Sequence, residues 1–184
     1  MKLNKAIENR WSPLVFSDKK ITDEMLKLLF EAARRAPSSR NTQPWNYYYA
    51  RRENREAFNS LVELLTGNNP EWAKNVPVLM ISVMKKTHDY KNRPNTKALH
   101  DTGAANISMA IQAAEMGFQA HQMGGFDKEK ASKFLNLDPD LFEPVTMIAI
   151  GYPDKSGEIS ERTRNRIQQH NTRKNLEEFV FQLK

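Results

Sequence analysis

The segment 97–116 constrains the fold most, because it predicts a long helix that is buried on nearly every side. Alanine, glycine and serine occupy positions on several of its faces. A helix without a polar face belongs in the interior of a protein. Thr96 is the predicted N-terminal cap, and Gly117 is the predicted left-handed residue that ends the helix.

The remaining predicted elements mix helices with strands. Helices are predicted at 3–10, between a cap at Thr22 and a stop at Pro37, at 53–65, and from about 127. Strands are predicted at 45–51, 76–84, 118–123 and 145–151. This order suits a parallel doubly wound sheet, but no Gly-x-Gly-x-x-Gly motif follows a strand, so a Rossmann site has no support. An α+β sheet with helices packed on it is equally compatible.

The composition of the chain limits its partners. The 184 residues suit a single domain, 1–184. The net charge of +6 fits a phosphate-bearing cofactor, but the cations are dispersed, so we expect no nucleic acid partner. The absence of cysteine excludes disulfides and thiolate chemistry. No apolar run is long enough to span a bilayer and no signal sequence is evident, so we expect no membrane partner and a cytoplasmic location.

Hydrolytic and metal-dependent chemistry find little support in the sequence. Ser38 or Ser39, together with His121 and Asp101, supplies the residue types of a catalytic triad. A triad is defined by the geometry of its members, however, and the presence of these residue types does not establish one. His100 and Asp101 are adjacent on a helix and point in different directions. Asp101 is better explained as a partner for a backbone or cationic group. We therefore predict no catalytic side chain and no metal site.

Three short segments carry polar groups suited to an anionic, planar cofactor. Arg10 and Ser12 offer a guanidinium fork and a hydroxyl to an oxyanion. Asn41 and Gln43 each present a donor and an acceptor on a planar amide, as the pyrimidine edge of a flavin requires. The pair Gly124–Gly125 would allow a ring to approach the backbone closely.

Taken in order, these segments resemble the FMN-dependent nitroreductase family, and within it a branch of small NAD(P)H-dependent flavin reductases. The resemblance covers nearly the whole chain. It is carried by Arg10-x-Ser12, "AARRAPSSRNTQPW" (32–45), "DTGAANISMAIQAAEMGF" (101–118), "HQMGGFD" (121–127), "AIGYP" (149–153) and "RKNLEE" (173–178).

The resemblance implies an α+β fold with a mainly antiparallel mixed sheet wrapped by helices, in an intertwined homodimer. Two FMN sites would lie at the dimer interface, and the tail from about 157 would wrap the partner subunit. The implied cofactor-binding residues are Arg10, Trp11, Ser12, Leu14, Pro37, Ser38, Ser39, Asn41, Gln43, Met123, Gly124, Gly125 and Arg173.

The family pattern also implies a role for most of these residues. Arg10, Ser12 and Arg173 would hold the FMN phosphate. Ser38 and Asn41 would lie along the ribityl chain and the ring, with Gln43 close by. The two glycines would lie near flavin N5. Leu14 and Asn171 stand where many members have basic residues, and the lid would come from 67–72 or 87–95.

The implied activity is a ping-pong transfer of hydride through flavin N5, from NADH or NADPH to a small-molecule electron acceptor. That acceptor would be a nitroaromatic, a quinone or free flavin. The main alternative is an FMN-binding store or sensor without efficient turnover. Flavin-dependent dehalogenation or ring cleavage and, more distantly, a basic nucleic-acid binder remain open.

Overall fold

The structure, a computed structural model, describes residues 1–90, 93–154 and 172–183. The helices are α1 (Lys5–Asn9), α2 (Asp23–Arg34), α3 (Arg55–Val62), α4 (Asn69–Ala73), α5 (Ala98–Glu115) and α6 (Lys128–Phe134). The strands are β1 (Trp45–Arg51), β2 (Val78–Lys85), β3 (Gln119–Met123) and β4 (Phe142–Gly151). Short 3₁₀ turns occupy Ser39–Asn41 and Leu176–Glu178.

The four strands form one sheet in the order β1-β2-β4-β3, and each neighbouring pair is antiparallel. Trp45 pairs with Met84, and Met123 pairs with Met147. The start of β1, the end of β2 and the start of β4 therefore lie at the same end of the sheet. Strand β3 runs toward that end and stops where Met123 pairs with Met147, in the middle of β4. The predicted α+β fold is confirmed, and the parallel doubly wound alternative is wrong.

The central strand β2 divides the interior into two layers. Its residues Val78–Val83 are all buried, and alternate side chains point to opposite faces of the sheet. Val78 and Met80 pack with α2 and α5 on one face. Leu79 and Ile81 pack with α3 and the residues around it on the other. Helices thus cover both faces of the sheet.

Helix α5 lies on the α2 side of the sheet and is buried on most of its circumference. Ala105 and Met109 are fully buried, whereas Leu99 and Ile107 are 58% and 41% exposed. Leu99, Gly103 and Ile107 form a stripe along the helix, which we call the α5 stripe. The prediction that this helix is buried nearly all round is wrong for the stripe. Although α5 has 18 residues, none of the described helices is long and apolar enough to cross a bilayer.

The predicted C-terminal end of α5 is confirmed, whereas the predicted N-terminal cap is wrong. Gly117 adopts a left-handed conformation (φ 81°), and its N–H donates to the Ala114 carbonyl, which confirms it as the terminating residue. At the other end, the side chain of Asn95 accepts a hydrogen bond from the Lys97 N–H at 3.1 Å. Thr96 makes no such bond in the described structure, so its predicted capping role is wrong.

A buried polar network joins α5 to the sheet. The Tyr47 hydroxyl donates to Asn106 Oδ1 at 2.9 Å, and Asn106 Nδ2 donates to Ser82 Oγ at 3.1 Å. Burial raises the pKa of Tyr47 well above its ordinary value, so the hydroxyl keeps the proton that it donates. The one polar residue within the apolar run of β2 is thereby satisfied.

The segment 67–72, one of the two predicted lid segments, contains most of the short helix α4. The Trp72 ring stacks between Phe16 and His121, with ring centroids 6.1 and 4.8 Å away. Ala73 beside it is fully buried. A segment packed in this way belongs to the body of the fold. The predicted lid at 87–95 stays a prediction, and its residues 91 and 92 lie outside the described residues.

The C-terminal tail exposes apolar side chains in the single chain. Leu176, Phe179, Phe181 and Leu183 are 65%, 56%, 77% and 93% exposed. Residues 155–171, which include most of the predicted wrapping tail and Asn171, lie outside the described residues. The described part of the tail therefore has apolar surface that its own chain does not cover.

Candidate functional site

Residues 9–13 run from the end of α1 along β3. The Trp11 N–H donates to Gln119 Oε1 of β3 at 3.1 Å. Arg10 ends α1 and is half-buried, while Ser12 is exposed. The backbone that carries the two predicted phosphate-binding residues therefore lies beside β3.

Two residues predicted at the site have their side chains in the interior. Leu14 is 7% exposed, and Met123 is 3% exposed and belongs to the core on the α3 side of the sheet. The Met123 carbonyl accepts a hydrogen bond from Thr146 Oγ1 at 2.8 Å. Both side chains contribute to packing, so the predicted cofactor contact is left to their backbone atoms.

The two glycines after β3 have different surroundings. A Cβ atom at Gly125 would lie 2.7 Å from Asn69 Nδ2, which donates to the Gly125 carbonyl at 3.0 Å. The Thr66 N–H donates to the same carbonyl at 3.0 Å. A Cβ atom at Gly124 would meet no atom of the described chain within 4 Å. Gly124 therefore offers the open backbone that was predicted for both, and Gly125 packs against its own chain.

These residues define a first group beside β3. It consists of Arg10, Trp11 and Ser12 along the strand and of Gly124 and Gly125 beyond its end, and we call it the β3 half-site. Successive residues of a strand rise about 3.3 Å, so the group extends along most of β3.

The second group is the polar loop between α2 and β1, residues 37–43, which we call the loop half-site. Three of its non-glycine residues adopt left-handed backbone conformations: Arg40 (φ 53°), Asn41 (φ 56°) and Gln43 (φ 46°). Such conformations are strained for residues with a side chain and are concentrated at functional sites in proteins. The loop therefore has a backbone conformation that a plain connection between a helix and a strand does not need.

Asp101 of α5 anchors this loop. Its buried carboxylate accepts a hydrogen bond from the Ser39 N–H at 2.9 Å and lies 3.1 Å from His100 Nδ1. The expectation that the adjacent His100 and Asp101 side chains point in different directions is therefore wrong. The bond to the Ser39 N–H confirms the expectation that Asp101 pairs with a backbone group. Within the loop, Ser38 Oγ accepts a hydrogen bond from the Gln43 N–H at 3.0 Å. Ser38 therefore shapes the loop in addition to its predicted role.

The side chains of Asn41 and Gln43 are exposed, and Pro37 is exposed beside them. Gln43 Nε2 donates to the Asn41 backbone carbonyl at 3.3 Å, and the oxygen of the same amide is an acceptor by its chemistry. Two planar amides on a strained, anchored loop form a donor and acceptor set for a polar ring edge.

A single chain holds the two half-sites apart. They adjoin β1 and β3, which are the outer strands of the sheet and lie three strand spacings, or about 14 Å, apart. The loop half-site is anchored at Asp101 near the start of α5, whereas residues 10–12 of the β3 half-site adjoin Gln119 beyond the end of α5. About 15 helical residues, or roughly 22 Å, separate these points along the helix.

Arg173 lies in the described part of the tail. Its side chain is exposed, and Nη1 donates to the Thr172 carbonyl at 2.8 Å. Its predicted place beside Arg10 and Ser12 remains a prediction.

Two surface cavities of about 500 and 650 Å³ are lined by other residues than those of the half-sites. The larger one lies between α6 and the start of β4, where Phe142 and Leu137 form part of its wall. Neither cavity unites the loop with β3.

Comparison with known proteins identifies the family. The sequence model of the nitroreductase family matches residues 7–152, which is most of the chain. A solved structure described as an oxidoreductase containing FMN is 31% identical, with a TM-score of 0.84, and the alignment covers 91% of this chain and 85% of that one. The chain therefore belongs to the nitroreductase family, and the predicted resemblance is confirmed.

More distant relatives agree with this assignment. The Bacillus subtilis protein named "Putative NAD(P)H nitroreductase YdgI" is 24% identical, over 88% of this chain and 90% of its own length. A structure titled as a putative nitroreductase in complex with FMN, from Exiguobacterium sibiricum, is 18% identical with a TM-score of 0.78. It covers 97% of this chain and 96% of its own, and it shows the fold alone.

Proposed function

We propose that this chain is an FMN-dependent oxidoreductase that oxidises NADH or NADPH and reduces a second small molecule. The observation that carries the proposal is the pairing of two half-sites whose chemistries suit the two ends of FMN. Membership of the nitroreductase family and the FMN-containing relative support the same conclusion.

The β3 half-site fits the phosphate end of the cofactor. Arg10 supplies a forked, permanently charged donor, and Ser12 supplies an exposed hydroxyl two residues later. The net charge of +6 favours an anionic ligand over a neutral one.

The loop half-site fits the polar edge of the flavin ring. Asn41 and Gln43 expose amides that can both donate and accept, which matches a ring edge with alternating N–H and carbonyl groups. Gly124 offers open backbone against which the ring face would lie. The strained backbone at positions 40, 41 and 43 presents these groups before the cofactor arrives, which lowers the entropy cost of binding.

When bound, FMN supplies hydride acceptance and donation at N5. The residues of the chain would bind and orient the cofactor, surround it with fixed dipoles and exclude water, and the first hydride transfer requires no side chain as a general acid. We propose ping-pong kinetics, in which the oxidised nicotinamide leaves before a nitroaromatic, a quinone or free flavin enters the same pocket.

We further propose that one complete site combines the β3 half-site of one chain with the loop half-site of a second. The separation of the half-sites within one chain supports this arrangement. The α5 stripe and the apolar residues of the tail supply uncovered surface for a homodimer interface.

The first test is the absorption spectrum of the purified protein, followed by anaerobic addition of NADPH or NADH. We expect flavin bands that bleach within seconds with either nucleotide. Flavin that stays oxidised would support the storage or sensor alternative instead. A colourless protein that takes up no added FMN would contradict the proposal.

Arg10→Ala tests the phosphate assignment. We expect FMN binding to weaken by about 2 kcal/mol, because a charge-assisted fork to the phosphate is lost. Arg55→Ala removes an exposed cation on α3 and serves as the matched control. Fluorescence titration of both apoproteins measures the difference, and unchanged FMN affinity in Arg10→Ala would contradict the assignment.

A further inference from the structure

Two side chains of β3, those of Gln119 and His121, form hydrogen bonds with the backbone of the segment that carries Arg10 and Ser12. Gln119 Oε1 accepts a hydrogen bond from the Trp11 N–H, and Gln119 Nε2 donates to the Asn9 carbonyl, both at 3.1 Å. The Gln119 amide thus bonds to the chain on either side of Arg10.

Gln119 is suited to this contact by chemistry and by burial. It is 5% exposed, and both ends of its amide are satisfied by backbone groups more than 100 residues away in sequence. An amide side chain offers a donor and an acceptor on one rigid plane. A buried amide whose two ends are both bonded holds its partners firmly, because breaking either bond would strand a buried polar group.

His121 holds the same segment two residues further along the strand. Its Nδ1 lies 2.7 Å from the Pro13 carbonyl oxygen, so this nitrogen carries the proton and donates. The imidazole stacks on Trp72 with centroids 4.8 Å apart and ring planes 28° apart. The stack fixes the plane of the imidazole and hence the direction of its hydrogen bond.

From these contacts we infer that Gln119 and His121 are positioning residues for the FMN phosphate. In this arrangement neither residue contacts the phosphate. Together they fix the backbone before Arg10 and after Ser12, which orients the guanidinium and the hydroxyl toward the oxyanion. This inference rests on the proposed function. It adds that the phosphate site is organised by β3 as well as by the residues that bind the anion.

Gln119→Met tests the inference at its most specific point. The thioether has nearly the same shape and no charge, but it loses both the acceptor for the Trp11 N–H and the donor to the Asn9 carbonyl. We expect the affinity of the apoprotein for FMN to fall about tenfold, and the affinity for riboflavin, which lacks the phosphate, to stay within about twofold. Asn59→Leu removes an exposed amide of α3 in the same way and should alter neither affinity.

His121→Phe provides an independent second variant. The phenyl ring keeps the stack on Trp72 but loses the donor to the Pro13 carbonyl. We expect a selective loss of FMN affinity in the same direction, with the melting temperature of the apoprotein reported for every variant. Competition by inorganic phosphate against FMN should weaken in parallel.

The ratio of FMN to riboflavin affinity decides the outcome. An equal loss of both affinities, together with a lower melting temperature, would show a purely structural role and overturn the inference. Unchanged FMN affinity in both variants would overturn it as well. If the unmodified apoprotein binds neither flavin, the proposed function itself fails, and that result is visible before any variant is made.

Discussion

Gly124 and Gly125 are adjacent in sequence but stand in different environments, and the difference concerns one side chain. Asn69 reaches across to the Gly125 carbonyl, while the corresponding side of Gly124 is open. A methyl group at position 125 would push the Asn69 amide out of its hydrogen bond. A methyl group at position 124 would meet only an incoming ligand.

We therefore predict opposite effects for two alanine substitutions. Gly125→Ala should lower the stability of the apoprotein by about 1 kcal/mol, the value of the displaced hydrogen bond. Gly124→Ala should leave stability within about 0.5 kcal/mol and reduce FMN affinity instead. Thermal unfolding and flavin titration of both variants measure these effects. A stable Gly125→Ala protein with normal melting would show that Asn69 does not hold this turn.

At the scale of single residues, a conformation that depends on the local sequence can be predicted, and one that depends on a distant contact cannot. Gly117 ends α5 as predicted, because a glycine that follows a helical pattern is itself the signal. The left-handed conformations of Arg40 and Asn41 carry no such signal. They depend on the loop being tied at Ser39 to Asp101, which is 62 residues away.

Helix α5 is docked on the sheet through a polar contact inside an otherwise apolar layer. Asn106 is 2% exposed, and its amide connects the hydroxyls of Tyr47 and Ser82 on two different strands. The network specifies one register of the helix over the sheet, because a shift along the helix axis would leave these groups unpaired.

Asn106→Ala should destabilise the protein by about 2–3 kcal/mol, since it leaves two partly or fully buried hydroxyls without their partner. Asn59→Ala on the exposed surface of α3 is the matched control and should cost little. Urea unfolding with equal m-values gives the comparison. A cost below about 0.5 kcal/mol would mean that water replaces the amide.

The elements with a clear hydrophobic period were predicted well. In α2, Leu26, Leu29 and Ala33 form the buried face, as their spacing indicates. The short helix α4 was not predicted, because five residues carry too little pattern and its position depends on Trp72 packing between Phe16 and His121. Tertiary contacts, and not helix propensity, account for such an element.

For the whole molecule, the α5 stripe is the surface that a second copy should cover. Ile107→Glu places a carboxylate at the C-terminal end of the stripe and should weaken self-association by about 2 kcal/mol or more, because the charge would be buried in the interface. Leu28→Glu, on the exposed face of α2, removes a comparable apolar side chain and serves as control. Sedimentation velocity measures the oligomeric state. If the Ile107→Glu protein remains dimeric, the dimer interface does not include the α5 stripe.

The sequence motifs predict which residues belong to the proposed cofactor site, and their membership stays a prediction. Only the sheet order shows that the two groups adjoin opposite outer strands. Nothing in the spacing of residues 10, 41 and 124 contains that information, because strand order depends on how distant segments pair.

The distribution of these residues over two sheet edges also couples cofactor retention to mass action. If each flavin is held by two chains, every dissociation of the pair opens both pockets, and dilution alone should release the cofactor. Free flavin in turn should draw separated chains together, because it binds the pair and not the single chain. The flavin content of a preparation would then depend on how far the protein has been diluted as well as on the contacts that individual residues make with the cofactor.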